Sequence, residues 1–233
     1  MFWSIVMKKI QRFFFLPINL ILLLLFWPSS ILATYYRTLG QDPKNIQQLI
    51  EYHEHVYQQE IEKKIQDAKE YLDRRLTTRK GVKLAIVLDI DESALSNYES
   101  LKRMSFTKNP QAIASAFLLS EGTPITPILE LYQYAHQHNV ATFFICERPQ
   151  IPEMVSATVK NLRQAGYDNW TKIFFRPINN DNLSTALFKQ NARKQIADED
   201  YVIILNIGDQ PTDLEGGYSE VTIRLPNPYY QVL

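Results

Sequence analysis

Five short apolar runs dominate the sequence from Lys83 onwards, and amphipathic segments separate the first four. The runs are LAIVLDI, VATFFIC, KIFFR, YVIILNIG and VTIRL, and each has the length of a strand. The segments PILELYQYAHQHN, PEMVSATVKNLRQAG and STALFKQNARKQIAD have helical periodicity. Continuously apolar strands are buried on both faces, and strands that alternate with helices usually pair in parallel. The sequence therefore predicts an α/β fold, with helices on both faces of a parallel sheet.

Two segments lie outside this alternation. Residues 44–79 carry apolar side chains at intervals of three and four with charges between them, which predicts an amphipathic helix packed on the core. Residues 96–123 are too long for an ordinary strand-to-helix loop. Because they follow the first strand, we expect them to form a small, mostly helical insertion over the strand ends.

The amino-terminal segment has a composition of its own. Lys8, Lys9 and Arg12 precede an uncharged stretch that extends from Phe13 to Tyr36. A basic region, an apolar region and a small-residue exit are typical of a secretory signal peptide, here residues 1–33. The stretch is also long enough to span a bilayer, so an uncleaved membrane anchor is the alternative. Both interpretations predict an exported protein, periplasmic or secreted, whose only membrane contact is this segment if it stays uncleaved.

Composition argues against several classes of function. Lysine and arginine total 25, as do aspartate and glutamate, so the zero net charge gives no support for a nucleic-acid partner. Cys146 is the only cysteine, which excludes an intrachain disulfide and a cysteine-ligated zinc site. The pairs His53/His55 and His136/His138 lie two positions apart in predicted helices and so face different sides, which argues against a histidine metal site.

Polar residues follow the apolar runs where the predicted strands end. They are Asp89 and Asp91 after the first run, Cys146, Glu147 and Arg148 after the second, and Asp209 and Asp213 after the fourth, with Lys189 in the preceding helix. Ligands of open parallel sheets bind at the carboxyl ends of the strands, so we expect these side chains to converge. A single D-x-D would fit an ordinary turn equally well. A second acidic motif, GDQPTD, after another apolar run favours a functional site.

Such a set of side chains suits phosphoryl transfer. Carboxylate oxygens are ligands for a hard cation such as Mg²⁺. An aspartate can attack a phosphoryl group and form an aspartyl-phosphate, while a second carboxylate protonates the leaving oxygen and later activates water. A lysine and the metal can neutralise charge on the transferred group.

The motifs resemble those of the haloacid-dehalogenase-like (HAD) superfamily, specifically its subfamily IIIB acid phosphatase branch. This branch includes plant vegetative storage proteins and bacterial class B and class C acid phosphatases. VLDIDESALSN resembles its first motif, FFICERP lies where the second falls, and ALFKQNARKQI and NIGDQPTDLEGG resemble the third and fourth. The closing RLPNPYY is also similar to the branch. The resemblance implies a three-layer, Rossmann-like phosphatase domain at 81–233, with a cap at about 96–123 and a helical extension at 34–80.

The resemblance also implies a role for each matched residue. Asp89 would be the nucleophile and Asp91 the general acid and base. Asp89, Asp209 and the backbone carbonyl of Asp91 would hold Mg²⁺, and Asp213 would support the metal site. Lys189 would stabilise the phosphate and the aspartyl-phosphate.

The second motif departs from the family pattern. A serine or threonine hydroxyl usually contacts the phosphate there, whereas this chain has Cys146, and a thiol is a weaker donor. Cys146, Glu147 and Arg148 are assigned with Lys189 to phosphate binding. Because a carboxylate repels a phosphate dianion, we expect the Glu147 side chain to point away or to pair with Arg148.

The expected function is an exported Mg²⁺-dependent acid phosphatase that acts on small phosphomonoesters, with nucleoside monophosphates suggested by the branch. One alternative is a weakly active storage or binding protein of the same fold. Such a protein would be free to lose the nucleophile, whereas this chain retains Asp89. The other alternative is a phosphotransferase, which would use the same residues. Tyr98, Phe106 and Trp170 could line a substrate pocket, although core packing is the simpler interpretation of each. The oligomeric state is open.

Overall fold

The computed structural model describes residues 37–38, 43–79, 81–107, 109–179 and 183–231. The predicted signal peptide or anchor lies outside these ranges. The elements are β1 (Arg37–Thr38), α1 (Pro43–Tyr52), a π-helical turn (His53–Tyr57), α2 (Gln58–Thr77), β2 (Lys83–Leu88), β3 (Leu95–Ser96), α3 (Tyr98–Arg103), α4 (Pro110–Leu119), β4 (Thr123–Pro124), α5 (Thr126–Gln137), β5 (Ala141–Pro149), α6 (Pro152–Gln164), β6 (Lys172–Arg176), α7 (Thr185–Asp198), β7 (Tyr201–Gly208), α8 (Pro211–Leu214), β8 (Ser219–Arg224) and β9 (Tyr230–Gln231). In these ranges no helix is both long enough and apolar enough to cross a bilayer.

The five apolar runs form one parallel sheet, as predicted, in the order β6-β5-β2-β7-β8. Alternate residues of each strand face opposite sides of a sheet. On one side Ile86 and Leu88 pack with the long helix α2 and with α5, and on the other Ala85 and Val87 pack with α7. The α/β architecture with helices on both faces is therefore confirmed.

The register of the sheet brings the strand ends to one edge. Leu88, the last residue of β2, pairs with Phe144 of β5 and with Ile207 of β7. Residues that follow these positions in sequence therefore emerge next to one another.

The predicted amino-terminal helix is present as α1 and α2, joined by the π-helical turn. Its buried residues Ile61, Ile65, Ala68 and Leu72 recur at threes and fours and contact the sheet core, which confirms the expected packing. The turn was not predicted. It buries Tyr57, and π-helical turns of this kind often occur near functional sites.

The insertion after β2 is helical, as expected, and consists of α3 and α4 between the paired strands β3 and β4. The Asn109 side chain begins α4 by accepting from the N–H groups of Gln111, at 3.0 Å, and of the following residue. The two cap helices share a separate apolar cluster that includes Tyr98 and Phe106. Trp170 packs at the edge of the main core, so core packing is the role that the structure gives all three aromatic residues considered above.

Candidate active site

The sheet itself sets the position of Asp89. The Asp89 N–H donates to the Ile207 carbonyl at 2.9 Å, which continues the pairing of β2 and β7 one residue beyond β2. The chain then turns sharply, with Glu92 in the left-handed region at φ 54° and its N–H bonded to the Leu95 carbonyl at 2.7 Å. This turn leaves Asp89 and Asp91 at the carboxyl edge of the sheet, where both side chains are buried.

Three carboxylates converge at this edge, as the sequence predicted. Asp89, Asp209 and Asp213 are all buried, and one oxygen of each lies within 4.8 Å of the others. Lys189 reaches them from α7: its Nζ donates to Asp89 Oδ1 at 2.6 Å and also to Asp213 Oδ1. Although burial by itself lowers the pKa of Lys189, the carboxylates of Asp213, Asp89 and Glu147 raise it well above the usual value. The lysine is therefore a permanent cation between two of the three carboxylates.

Asp213 is held by the short helix α8 and by close packing. Its Oδ2 accepts the Gln210 N–H at 2.7 Å, which satisfies one of the free donors at the start of the helix. Gly208 lies directly beneath it, and a Cβ at that position would overlap the Asp213 side chain. The glycine in GDQPTD thus makes room for the carboxylate.

Asp209 contacts neutral donors. Its Oδ2 accepts from Asn227 Nδ2 at 2.6 Å and from Gln210 Nε2, and its Oδ1 accepts from Ser93 Oγ at 3.2 Å. Burial and the nearby Asp213 raise the pKa of Asp209 to about 7, and the amide donors oppose that rise. Asn227 belongs to the closing RLPNPYY segment, whose part in the site the sequence did not indicate.

Asp91 is paired with Arg148 through both oxygens. The Arg148 Nη2 donates to Oδ1 at 2.6 Å and its Nε donates to Oδ2 at 3.0 Å. Asn97 Nδ2 also donates to Oδ1, at 2.8 Å. Arg148, predicted to bind phosphate, is thus placed against the predicted general acid, and Asn97 is a contact that the sequence did not reveal.

The suggested pairing of Glu147 with Arg148 was wrong. Glu147 accepts from Arg176 Nη1 at 3.0 and 3.2 Å instead. Consecutive residues of a strand point to opposite faces, so adjacent side chains of β5 do not meet. Burial raises the pKa of Glu147, and its neighbours Lys189 and Arg176 oppose this rise.

The structure places Cys146 in the core. Its side chain is fully buried in the same apolar cluster as Phe144, and burial raises the pKa of the thiol. The cavity at the sheet edge is lined by Asp89, Asp91, Glu147, Thr185, Lys189, Asp209, Gln210, Thr212, Asp213 and Tyr230. Cys146 and Arg148, both described, are not among these residues.

Thr185 lines the cavity but was not predicted from the sequence. It lies one helical turn before Lys189, and this spacing could have indicated it.

The charge balance of the site fits a divalent cation. Six carboxylates are buried here, Asp89, Asp91, Glu92, Glu147, Asp209 and Asp213. Among the described residues, four cationic side chains accompany them, Arg148, Arg176, Lys189 and Arg193. The nitrogens of Arg193 donate to backbone carbonyls rather than to a carboxylate. Uncompensated buried carboxylates are costly, and a cation with oxygen ligands removes that cost.

The family resemblance and the fold agree with comparisons to known proteins. The sequence model of the HAD superfamily, subfamily IIIB (acid phosphatase), matches residues 37–233. Vegetative storage protein 1 of Arabidopsis thaliana is 29% identical over 150 residues, which are 63% of this chain and 54% of that protein. Acid phosphatase 1 of Solanum lycopersicum is 29% identical over 151 residues, which are 63% of this chain and 58% of that protein. The matches thus span little more than half of each relative.

A solved structure shows the same fold. The class C acid phosphatase from Bacillus anthracis superposes with a TM-score of 0.66 at 20% sequence identity. The superposition covers 80% of this chain and 86% of that one. At this identity the likeness concerns the arrangement of helices and strands.

Proposed function

Because the chain belongs to the subfamily IIIB acid phosphatases of the HAD superfamily, we propose that it hydrolyses small phosphomonoesters through an aspartyl-phosphate on Asp89. The observation that carries the proposal is the convergence of three buried carboxylates and Lys189 at the carboxyl edge of the sheet. Asp89, Asp209 and the backbone carbonyl of Asp91 would hold Mg²⁺, supported by Asp213. Bound there, Mg²⁺ would neutralise negative charge on the phosphoryl group.

In the first step, an Asp89 carboxylate oxygen forms a bond to phosphorus while the bond from phosphorus to the ester oxygen breaks. Asp91 donates a proton to the departing oxygen, which leaves as an alcohol. In the described hydrogen bonds, Asp91 Oδ1 accepts from two donors and Oδ2 from one. Oδ2 therefore has the greater capacity to carry that proton.

In the second step, Asp91 accepts a proton from water as the water oxygen bonds to phosphorus. The bond from phosphorus to Asp89 breaks, which releases inorganic phosphate and restores both aspartates. Lys189 contributes a fixed positive charge beside Asp89 in both steps. Since the first step needs a protonated Asp91, the reaction is expected to be faster under acidic conditions.

One further function is favoured by specific observations, and a second is compatible with the same residues. Two relatives are named vegetative storage proteins, and the buried Cys146 contributes no hydroxyl to a phosphate. Together these observations support a storage or binding protein of weak activity. A phosphotransferase would use the same residues, with an acceptor hydroxyl in place of water. The nucleoside monophosphates suggested by the family remain one class of substrate to test.

We also propose that the protein is exported, periplasmic or secreted, with residues 1–33 as the signal peptide. The support is the basic, uncharged and small-residue pattern of this segment. Amino-terminal sequencing of the exported protein tests the proposal. A chain that begins at Thr34 is the expected result, and an intact segment recovered with the membrane would support the anchor.

The catalytic proposal is tested by phosphate release from p-nitrophenyl phosphate at pH 5 to 6. The exported protein is compared in Mg²⁺ and in EDTA, beside Asp89→Asn. Turnover that requires the metal and disappears in the variant is expected. If the folded wild-type protein releases no more phosphate than the variant, the storage or binding function is favoured. Adding an alcohol acceptor and measuring its phosphorylation distinguishes a transferase.

A further inference from the structure

We propose that Arg148 is a positioning residue which, together with Asn97, holds the general acid Asp91 in place and links it to the cap. On this proposal Arg148 does not bind the substrate phosphate. The inference rests on the proposed function, because it gives Asp91 the role of proton donor. It concerns how the donor is oriented rather than whether the reaction occurs.

The first support is that all three guanidinium nitrogens of Arg148 already have protein partners. Nε and Nη2 bind the two oxygens of Asp91, and Nη1 donates to Thr158 Oγ1 at 3.1 Å. The Thr158 hydroxyl donates in turn to the Met154 carbonyl at 2.7 Å, which fixes it on α6. Arg148 is 1% exposed. Three of its five N–H groups are therefore used within the protein, and the residue does not line the cavity in which a phosphate would bind.

The second support is that Asp91 contacts both cap helices, directly or through Arg148. Asn97, whose Nδ2 binds Asp91 Oδ1, immediately precedes α3. The Arg148 guanidinium lies over the ring of Phe117, 4.3 Å from its centroid, and Phe117 belongs to α4. A cation and the face of an aromatic ring attract each other, most strongly when both are shielded from water. A cap that moves away would remove both contacts and leave the Asp91 carboxyl group free to rotate.

These contacts predict a particular defect when Arg148 is changed. A nitrophenolate leaves readily without a proton, whereas an alkoxide needs one. A misplaced Asp91 should therefore slow hydrolysis of an alkyl phosphate far more than hydrolysis of an aryl phosphate. Loss of a residue that binds the phosphate would instead weaken the binding of both substrates equally. It would also weaken inhibition by inorganic phosphate.

The test compares kcat/KM for ethyl phosphate and p-nitrophenyl phosphate in wild type and Arg148→Lys, with the inhibition constant of inorganic phosphate. Lysine keeps the charge but cannot form the two parallel hydrogen bonds that the planar guanidinium makes with Asp91. We expect a loss of about 100-fold for the alkyl ester, in the range of general acid catalysis, with less than about 10-fold for the aryl ester and an unchanged inhibition constant. Equal losses with weaker phosphate inhibition would overturn the proposal.

A buried arginine can be essential for folding, so two further variants are included. Phe117→Leu keeps an apolar residue in α4 but removes the ring beneath the guanidinium, and Asn97→Ala removes the other donor. Phe106→Leu is the matched control, because it makes the same change elsewhere in the cap cluster. The ratio of alkyl to aryl activity should fall in the first two variants only. An unchanged ratio in both, with active wild type, refutes this inference alone, whereas an inactive wild type refutes the proposed function as well.

Discussion

Asp209 should destabilise the metal-free protein at neutral pH, and Asp209→Asn should remove this cost. The substitution preserves the hydrogen bonds. The oxygen of the introduced amide can accept from Asn227 and Gln210 as Oδ2 does now, and the amide nitrogen can donate to the Ser93 hydroxyl. The variant removes only the buried negative charge. In the wild type, the groups that donate to this charge are all neutral.

The size of the effect follows from the pKa. The pKa of Asp209 is about 7 in the folded protein against 3.8 ordinarily, because of burial first and of Asp213 second. Between these values the folded state binds a proton that the unfolded state does not, so the free energy of unfolding falls as the pH rises from 3.8 to 7. At about 1.4 kcal/mol per pH unit, Asp209 costs about 4 kcal/mol at most at pH 8, where it is ionised in both states. At pH 5 it costs about 2 kcal/mol, because the group must take up a proton when the protein folds.

The assay is thermal unfolding in EDTA at pH 5 and pH 8. Asp209→Asn should melt above wild type at pH 8, by up to roughly 8 to 16 °C for a protein of this size, and by less at pH 5. Asp67→Asn, on an exposed face of α2, is the matched control and should change little at either pH. Saturating Mg²⁺ should raise the melting temperature of wild type much more than that of the variant, because binding to the folded state stabilises it.

The reasoning is refuted if Asp209→Asn in EDTA is no more stable than wild type at pH 8, or if its advantage does not depend on pH. Either result would mean that a described neighbour compensates the charge better than the geometry indicates. Equal stabilisation of both proteins by Mg²⁺ would remove Asp209 from the set of metal ligands.

Three further substitutions test the site and the packing around it. Lys189→Met should lower kcat by about 10² to 10³, as removal of a transition-state donor does, whereas Lys194→Met on the exposed side of α7 should not change it. Cys146→Ser should lower the free energy of urea unfolding by about 1 to 3 kcal/mol without increasing phosphate release, because the side chain packs in the core, and a gain in activity would instead place it at the phosphate. Burial lowers the pKa of His53 from 6.5, so its contribution to stability is complete above pH 6.5 and is lost below it. The melting temperature of His53→Asn should therefore fall less between pH 7 and pH 5 than that of wild type. His136 is exposed, and His136→Asn is the control, which should show the same fall as wild type.

Most of the architecture could be predicted because it depends on local patterns. A strand buried on both faces must be apolar along its whole length, and a helix on a sheet must repeat its apolar residues at threes and fours. Parallel pairing then brings strand ends to one edge without any knowledge of side-chain contacts. Asp89, Asp209, Asp213 and Lys189 could therefore be assigned to one site from their positions relative to the strands.

The partners of these residues could not be predicted, because they come from distant segments whose approach depends on packing. Asn227, 18 positions beyond Asp209, reaches it only because the closing segment folds back over the sheet edge. Glu147 pairs with Arg176, 29 positions away, since their strands are neighbours in the sheet. The sequence by itself thus determined which residues gather at the sheet edge, through the periodicity of strands and helices. Only the tertiary structure decided which charge faces which, because that depends on side-chain direction and on how the cap, the sheet and the closing segment pack together.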